Sequence, residues 1–160
     1  MSVTYPALPP VQPLSTPAEL GKLATVLASR SDLWGPLLQF DAQNRWFTRF
    51  GGGEGWEAWL LTWLPGQRTG LHDHGGSAGA FTVLLGTVRE ETPHDPVGRT
   101  LNAPDLRAFG PEHVHDVVGA GEGPAATLHV YSPTLSVMRR YARTPSGIEL
   151  TSVEREGSDW

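Results

Sequence analysis

Six histidines and no cysteine set the chemistry open to this chain of 160 residues. Four of the histidines fall in two pairs, His72-Asp73-His74 and His113-Val114-His115. In an extended strand, residues two apart point to the same face, so each pair can aim both imidazoles at one point. Histidine is a common ligand for iron, zinc, copper and nickel, so the pairs raise a metal site without naming the metal. Without thiols, any ligands are nitrogen or oxygen, and disulfides, a thiolate site and a cysteine nucleophile are excluded. A catalytic metal needs three protein ligands more readily than four, which leaves one of these histidines spare.

The other two histidines differ in setting. His94 lies in the turn-like Pro93-His94-Asp95-Pro96 and reads as solvent-exposed. His129 lies in Ala125 to Tyr131, where period-two alternation puts Thr127, His129 and Tyr131 on one face and Ala126, Leu128 and Val130 on the other. A polar row on an otherwise apolar strand points to a polar cavity. Ser132-Pro133 ends that strand, with either peptide isomer open.

The elements that must position these residues are mostly strands. Glycine-rich turns frame the first pair, Gly66 to Gly70 before it and Gly75-Gly76 after it, and Ala80 to Leu85 is the strand that follows. Arg45 to Phe50 alternates polar and aromatic residues. Arg49 within it reads, by itself, as a solvated charge. Trp56 to Leu64 is a strand buried on most of its length, Val88 to Thr92 an exposed one with alternating charge, and Ser136 to Tyr141 with Ile148 to Val153 a final hairpin. The arginines of that hairpin, Arg139, Arg140 and Arg143, read as a solvated edge that discourages further pairing. Helix is expected near the start alone. Thr16, Pro17 and Glu19 form a capping box ahead of an apolar face of Leu20, Leu23, Ala24 and Leu27, and a shorter helical or turn segment is broken by Gly35-Pro36. Residues 1–14 carry four prolines and read as an extended arm, and the tail from Glu154 as frayed.

The chain is long enough for one domain and one active site. Twelve basic against seventeen acidic residues give a formal charge of -5, which offers no electrostatic reason for a nucleic acid or an anionic membrane as partner. No stretch approaches the ~20 apolar residues of a membrane span, and the start lacks a leader pattern, so a cytoplasmic location is expected.

Taken together, these residues resemble a known family. Gly66, His72-Asp73-His74, Gly79 and Gly86 have the spacing of the first conserved motif of the cupins, with Gly79 where ordinary cupins carry a glutamate ligand. Gly110-Pro111, His115 and Gly119 match the second motif more loosely. The missing glutamate, His115-Asp116-Val117 and Leu128-His129-Val130-Tyr131-Ser132-Pro133 are similar to the cysteine dioxygenase branch.

The resemblance implies an all-β, cupin-type double-stranded β-helix, with residues 1–40 as an arm and helices packed on a barrel of residues 41–154. It implies one Fe(II) per chain held by His72, His74 and His115, with His115 preferred to His113 for the Asp-Val after it. It implies a substrate carboxylate on Arg49, an active-site Tyr131 oriented by His129, and Thr127 in the same hydroxyl network. Eukaryotic members crosslink a cysteine to the tyrosine; Gly79 stands in that place here. The implied activity is oxidation of cysteine by O2 to the sulfinic acid, in a monomer. A dioxygenase acting on 3-mercaptopropionate or another small thiol stays open, as does a non-catalytic metal- or ligand-binding cupin. Glutamine often replaces the arginine in relatives that prefer 3-mercaptopropionate.

Overall fold

The computed structural model describes residues 16–155. The arm expected over residues 1–14 and the end of the expected frayed tail lie outside them. Helix α1 (Pro17–Ala28) begins as the capping box predicts, with the Thr16 side chain accepting from the Glu19 N–H at 3.2 Å. A short helix α2 (Ser31–Trp34) and a 3₁₀ turn (Gly35–Leu37) follow. Everything after them is strand and turn.

Ten strands form among the described residues: β1 (Phe47–Gly53), β2 (Trp56–Trp63), β3 (Ala78–Leu85), β4 (Thr87–Thr92), β5 (Asp95–Asn102), β6 (Leu106–Phe109), β7 (Asp116–Gly119), β8 (Ala125–Ser132), β9 (Val137–Thr144) and β10 (Gly147–Arg155). Five pair antiparallel in the order β1-β2-β8-β3-β6, three as β5-β4-β7, and two as the hairpin β9-β10. Residues 66–73 join the last two groups. The amide of Thr69 donates to the carbonyl of Val117, His72 and His115 exchange both backbone bonds, and on the other edge Asp73 donates to Arg139 and Tyr141 to Leu71. The result is a second sheet, β5-β4-β7-(66–73)-β9-β10, that faces the first.

Alternation along the strands decides what lies between the sheets. Leu61 and Trp63 of β2 and Phe81 and Val83 of β3 pack inward on Val88, Leu101, Val117 and Met138 of the second sheet. Ala58, Leu60, Ala80, Leu128 and Val130 point the other way and take Leu20 and Ala24 of α1. The expected double-stranded β-helix with N-terminal helices is therefore present, and α1 seals the outer face of its first sheet. The expected hairpin near the end is β9-β10, and Ser132-Pro133 is cis.

Three local readings differ. Strand β5 was not marked by sequence, because its Pro96 and Gly98 are turn residues; it is the exposed edge of its sheet, where both are tolerated. Strand β4 is not an exposed strand: Val88, Glu90 and Glu91 are buried, the carboxylates held by arginines and histidines. The β9 arginines are ties more than a solvated edge. Arg139 reaches Asp73, Arg140 bonds Glu154 and the Thr69 carbonyl, and Arg143 bonds the Thr92 carbonyl.

Among the described residues no helix is long and apolar enough to cross a membrane. Leu20 is fully buried between α1 and the sheet. Leu20→Ala should lower unfolding free energy by about 2–5 kcal/mol in urea denaturation; an unchanged midpoint would show that α1 does not seal the sheet.

Candidate metal centre and its cavity

The pairing of residues 66–73 with β7 sets His72 directly opposite His115. His74, two residues on, turns toward the same point. The three rings meet edge to edge with centroids 4.8 to 5.0 Å apart, and each offers a ring nitrogen within 4.8 Å of the others. Asp73 faces away, as the alternation predicts. Its carboxylate accepts from the backbone N–H of Gly75 and Arg139 and from the Tyr141 hydroxyl, which anchors the histidine pair from behind.

Hydrogen bonds fix two of the three rings. Nδ1 of His72 lies 2.8 Å from the Gly70 carbonyl, and Nδ1 of His115 lies 2.7 Å from Glu90 Oε2. Both partners are acceptors, so the proton sits on each Nδ1 and Nε2 keeps its lone pair. His74 is different: it is buried, and neither ring nitrogen has a hydrogen-bond partner among the described residues. An unsatisfied buried polar group costs about 1–3 kcal/mol. A cation shared by the three rings removes that cost, so the donor set fits a metal ion. Burial first, and the neighbouring imidazoles next, push His72 and His74 well below the ordinary histidine range, and burial lowers His115 against the pull of Glu90. Neutral imidazole is the form that ligates.

Glu90 has no role in the sequence reading, yet it organises one side of the site. It takes His115 at 2.7 Å, Nε2 of His113 at 3.1 Å and Arg107 at 2.8 Å. Burial opposes its charge, but these three donors together hold its carboxyl far below the usual range. Glu90, His113 and His115 also cluster closely enough to hold an ion. Their mutual hydrogen bonds already satisfy them, whereas His74 is orphaned, so the three-histidine group is the better centre. His113, the spare histidine, braces Glu90 and stacks on Phe109 with centroids 4.6 Å apart. A sequence signal for Glu90 existed: it shares a strand face with Val88, which is fully buried.

Gly79 shows why no fourth ligand joins. A Cβ at this position would stand 2.6 Å from the Phe109 ring and 3.0 Å from the Tyr131 ring. Phe109 fills the space, stacked on His74 at 4.7 Å, with Tyr131 on His74 at 5.3 Å. A carboxylate cannot be built there without displacing an aromatic ring.

The polar row on β8 forms a relay. Trp63 Nε1 donates to the Thr127 hydroxyl at 3.0 Å, Thr127 lies 2.7 Å from His129 Nε2, and His129 Nδ1 lies 3.3 Å from the Tyr131 hydroxyl. The polarity that uses every proton has Thr127 donating to Nε2 and Nδ1–H donating to the phenol oxygen, which leaves the phenol proton for the cavity. Phe81 holds the His129 ring flat at a centroid distance of 4.9 Å. Burial raises the Tyr131 pKa above its ordinary value, so the hydroxyl stays protonated.

His72, His115, His129 and Tyr131 line one cavity, walled by apolar groups such as Trp59, Leu61 and Met138. The expected residues His72, His74, His115, Thr127, His129 and Tyr131 are thus brought together. Arg49 is not. It is exposed, lies 3.6 Å from Glu57 in an ion pair, and is absent from the cavity lining, where Arg45 stands instead. Sequence reasoning placed Arg45 in the alternating stretch Arg45 to Phe50 and gave it no role, since the resemblance assigned the carboxylate to Arg49.

Residues 16–144 match the model of one protein family, described as cysteine dioxygenase type I. No curated protein matches the chain. Among solved structures, the fold is similar to the protein TT1209 from Thermus thermophilus, at 22% identity and a TM-score of 0.56 over 62% of this chain and 92% of that one. It is similar to a conserved protein with a double-stranded β-helix domain from Klebsiella pneumoniae, at 17% identity and a TM-score of 0.57 over 74% and 93%. An RmlC-like cupin protein from Desulfovibrio desulfuricans aligns at 17% identity with a TM-score of 0.53 over 60% and 89%. At these identities the likeness shows the fold alone, the cupin double-stranded β-helix. The family match is of another kind, since it spans both histidine pairs and the relay strand: the chain belongs to the cysteine dioxygenase type I family.

Proposed function

We propose that the protein is a non-haem iron(II) thiol dioxygenase that converts cysteine to cysteine sulfinic acid with O2. The observation that carries this reading is the three-nitrogen donor set with Phe109 packed where a carboxylate ligand would stand. Three neutral imidazoles bring no negative charge to the centre, so an anionic thiolate is drawn there more strongly than to a site that already holds a carboxylate. Iron held by His72, His74 and His115 would supply the redox chemistry that joins dioxygen to sulfur. Sulfur is oxidised and keeps both oxygen atoms, so no separate reductant is required.

The chain's own residues supply position and environment. Phe47, Trp59, Leu61, Leu135 and Met138 keep water from the reacting groups and strengthen the electrostatics inside. Tyr131 offers a hydrogen bond at a place set by His129 and Thr127. A protonated phenol donates there; it does not act as a base. The relay also weighs against a non-catalytic cupin, since a structural metal has no use for a buried His-Tyr pair beside it.

Three outcomes test this reading. Purified protein should carry iron close to one per chain and consume O2 with cysteine faster than with 3-mercaptopropionate, measured by metal analysis and an oxygen electrode; bound zinc with no oxygen uptake would overturn it. Glu90→Gln should weaken metal binding roughly 10- to 100-fold in a chelator competition, because the His115 ring loses its charged partner. Gly79→Ala should destabilise by about 1–3 kcal/mol through overpacking, and Phe109→Leu in the same chain should return part of that, read as a coupling in thermal melts.

A further inference from the structure

One acid stands on an inward face among apolar residues and takes no part in the metal centre. Glu57, Trp59, Leu61 and Trp63 alternate along β2 and so share the side that faces the second sheet. Glu57 is buried, and a buried carboxylate needs donors to meet it. Its Oε1 accepts the backbone N–H of Leu135 at 2.7 Å, and its Oε2 lies 3.6 Å from Nε of the exposed Arg49. A backbone N–H is held more firmly by a charged acceptor than by a neutral one.

Leu135 belongs to the four residues, 133–136, that carry the chain from β8 in the first sheet to β9 in the second. This strap leaves β8 just after Tyr131, which stands opposite Glu57 in the strand register. Thr134 and Ser136 are exposed and Leu135 between them is buried, so the strap sends one apolar side chain inward. There it joins the inner core and lines the same cavity as His72, His115, His129 and Tyr131. Two other bonds fix the start of the strap: Ser77 Oγ donates to the Pro133 carbonyl at 2.8 Å, and Ser132 Oγ to the Gly55 carbonyl at 2.9 Å. Beyond them, Glu57 ties the amide of the one residue that reaches the cavity.

We infer that Leu135 limits the bulk of the thiol that the cavity admits, and that Glu57 is the positioning residue that holds Leu135 in the wall. The inference rests on the thiol dioxygenase reading and adds a limit of shape to it. A strap of four residues with two of them exposed makes few apolar contacts of its own, so the place of the Leu135 side chain depends on where its amide is held. Without the Glu57 acceptor a buried N–H is left unpaired, and the strap moves to satisfy it. The wall at Leu135 lies near Tyr131, which packs on His74 at 5.3 Å, so it meets groups carried on the carbon beside a sulfur drawn to the three histidines.

The test has two readouts. Oxygen uptake by the iron-loaded protein is compared for cysteine and for penicillamine, which is cysteine with two methyl groups on the carbon beside sulfur, and hydrogen exchange is followed at the Leu135 amide. The unaltered protein should favour cysteine in kcat/KM by roughly a hundredfold, and Leu135→Ala should cut that ratio by roughly tenfold or more. Glu57→Ala should also cut it and should speed exchange of the Leu135 amide by roughly tenfold. In the Leu135→Ala background Glu57→Ala should change the ratio no further, because it acts through that side chain. Glu57→Gln, which keeps an acceptor, should restore most of the ratio. Melting curves check that each variant folds; should Glu57→Ala fail to fold, Glu57→Asp takes its place, where a lowered ratio supports the inference and an unchanged one overturns it. A ratio unmoved in Leu135→Ala overturns the inference with the dioxygenase reading intact, and faster amide exchange with an unmoved ratio in Glu57→Ala overturns the part given to Glu57. Absence of oxygen uptake with both thiols in the unaltered protein removes the dioxygenase reading, and the role of Leu135 with it.

Discussion

The backbone pairing of His72 with His115 is the constraint on which the rest of the molecule depends. Each residue donates its N–H to the other's carbonyl at 3.0 Å, so two ligands distant in sequence become opposite members of one hydrogen-bonded pair. That pair joins residues 66–73 to β7, and the opposite edge of the same segment joins β9. A slip of one residue there would turn His72 and His74 outward and bring Asp73 into the cavity. Asp73 guards the register from behind, since its carboxylate is matched to the Arg139 amide and the Tyr141 hydroxyl.

Around this pairing the site is built to remain neutral. The imidazoles are buried and uncharged, Tyr131 is protonated, and the space beside His74 is filled by Phe109. Negative charge is kept one step back, on Glu90, where it orients His115 without touching the centre. Permanent positive charge stands at the cavity's neck on Arg45.

Much of this was legible in the chain. Alternation is enforced by strand geometry, so Thr127, His129 and Tyr131 had to share a face once Ala125 to Tyr131 was a strand. The capping box at Thr16 is a local hydrogen bond, and it formed as expected. The readings that changed concern residues whose partners are remote. Glu90 and Glu91 looked solvent-facing in an alternating-charge strand, but β4 runs through the middle of its sheet and its carboxylates meet Arg107, His115, Arg68 and Arg89. Arg139, Arg140 and Arg143 looked like edge charges for the same reason.

The sequence by itself determined which chemistry was possible: no thiols, two histidine pairs each able to aim at one point, a glycine where a carboxylate ligand is ordinarily found, and a polar strand face to carry Tyr131. The place of the glycine is read from the resemblance; the others are short-range consequences of residue type and strand period. Residue type and strand period left His113 and His115 open; the resemblance favoured His115 for the Asp116-Val117 after it, and the tertiary pairing that sets it opposite His72 supplies the physical reason. Tertiary structure alone showed that Phe109 occupies the space beside Gly79, and that Arg45 reaches the cavity while Arg49 turns to Glu57. Packing between remote segments fixes such choices, and no local pattern encodes the distance between them.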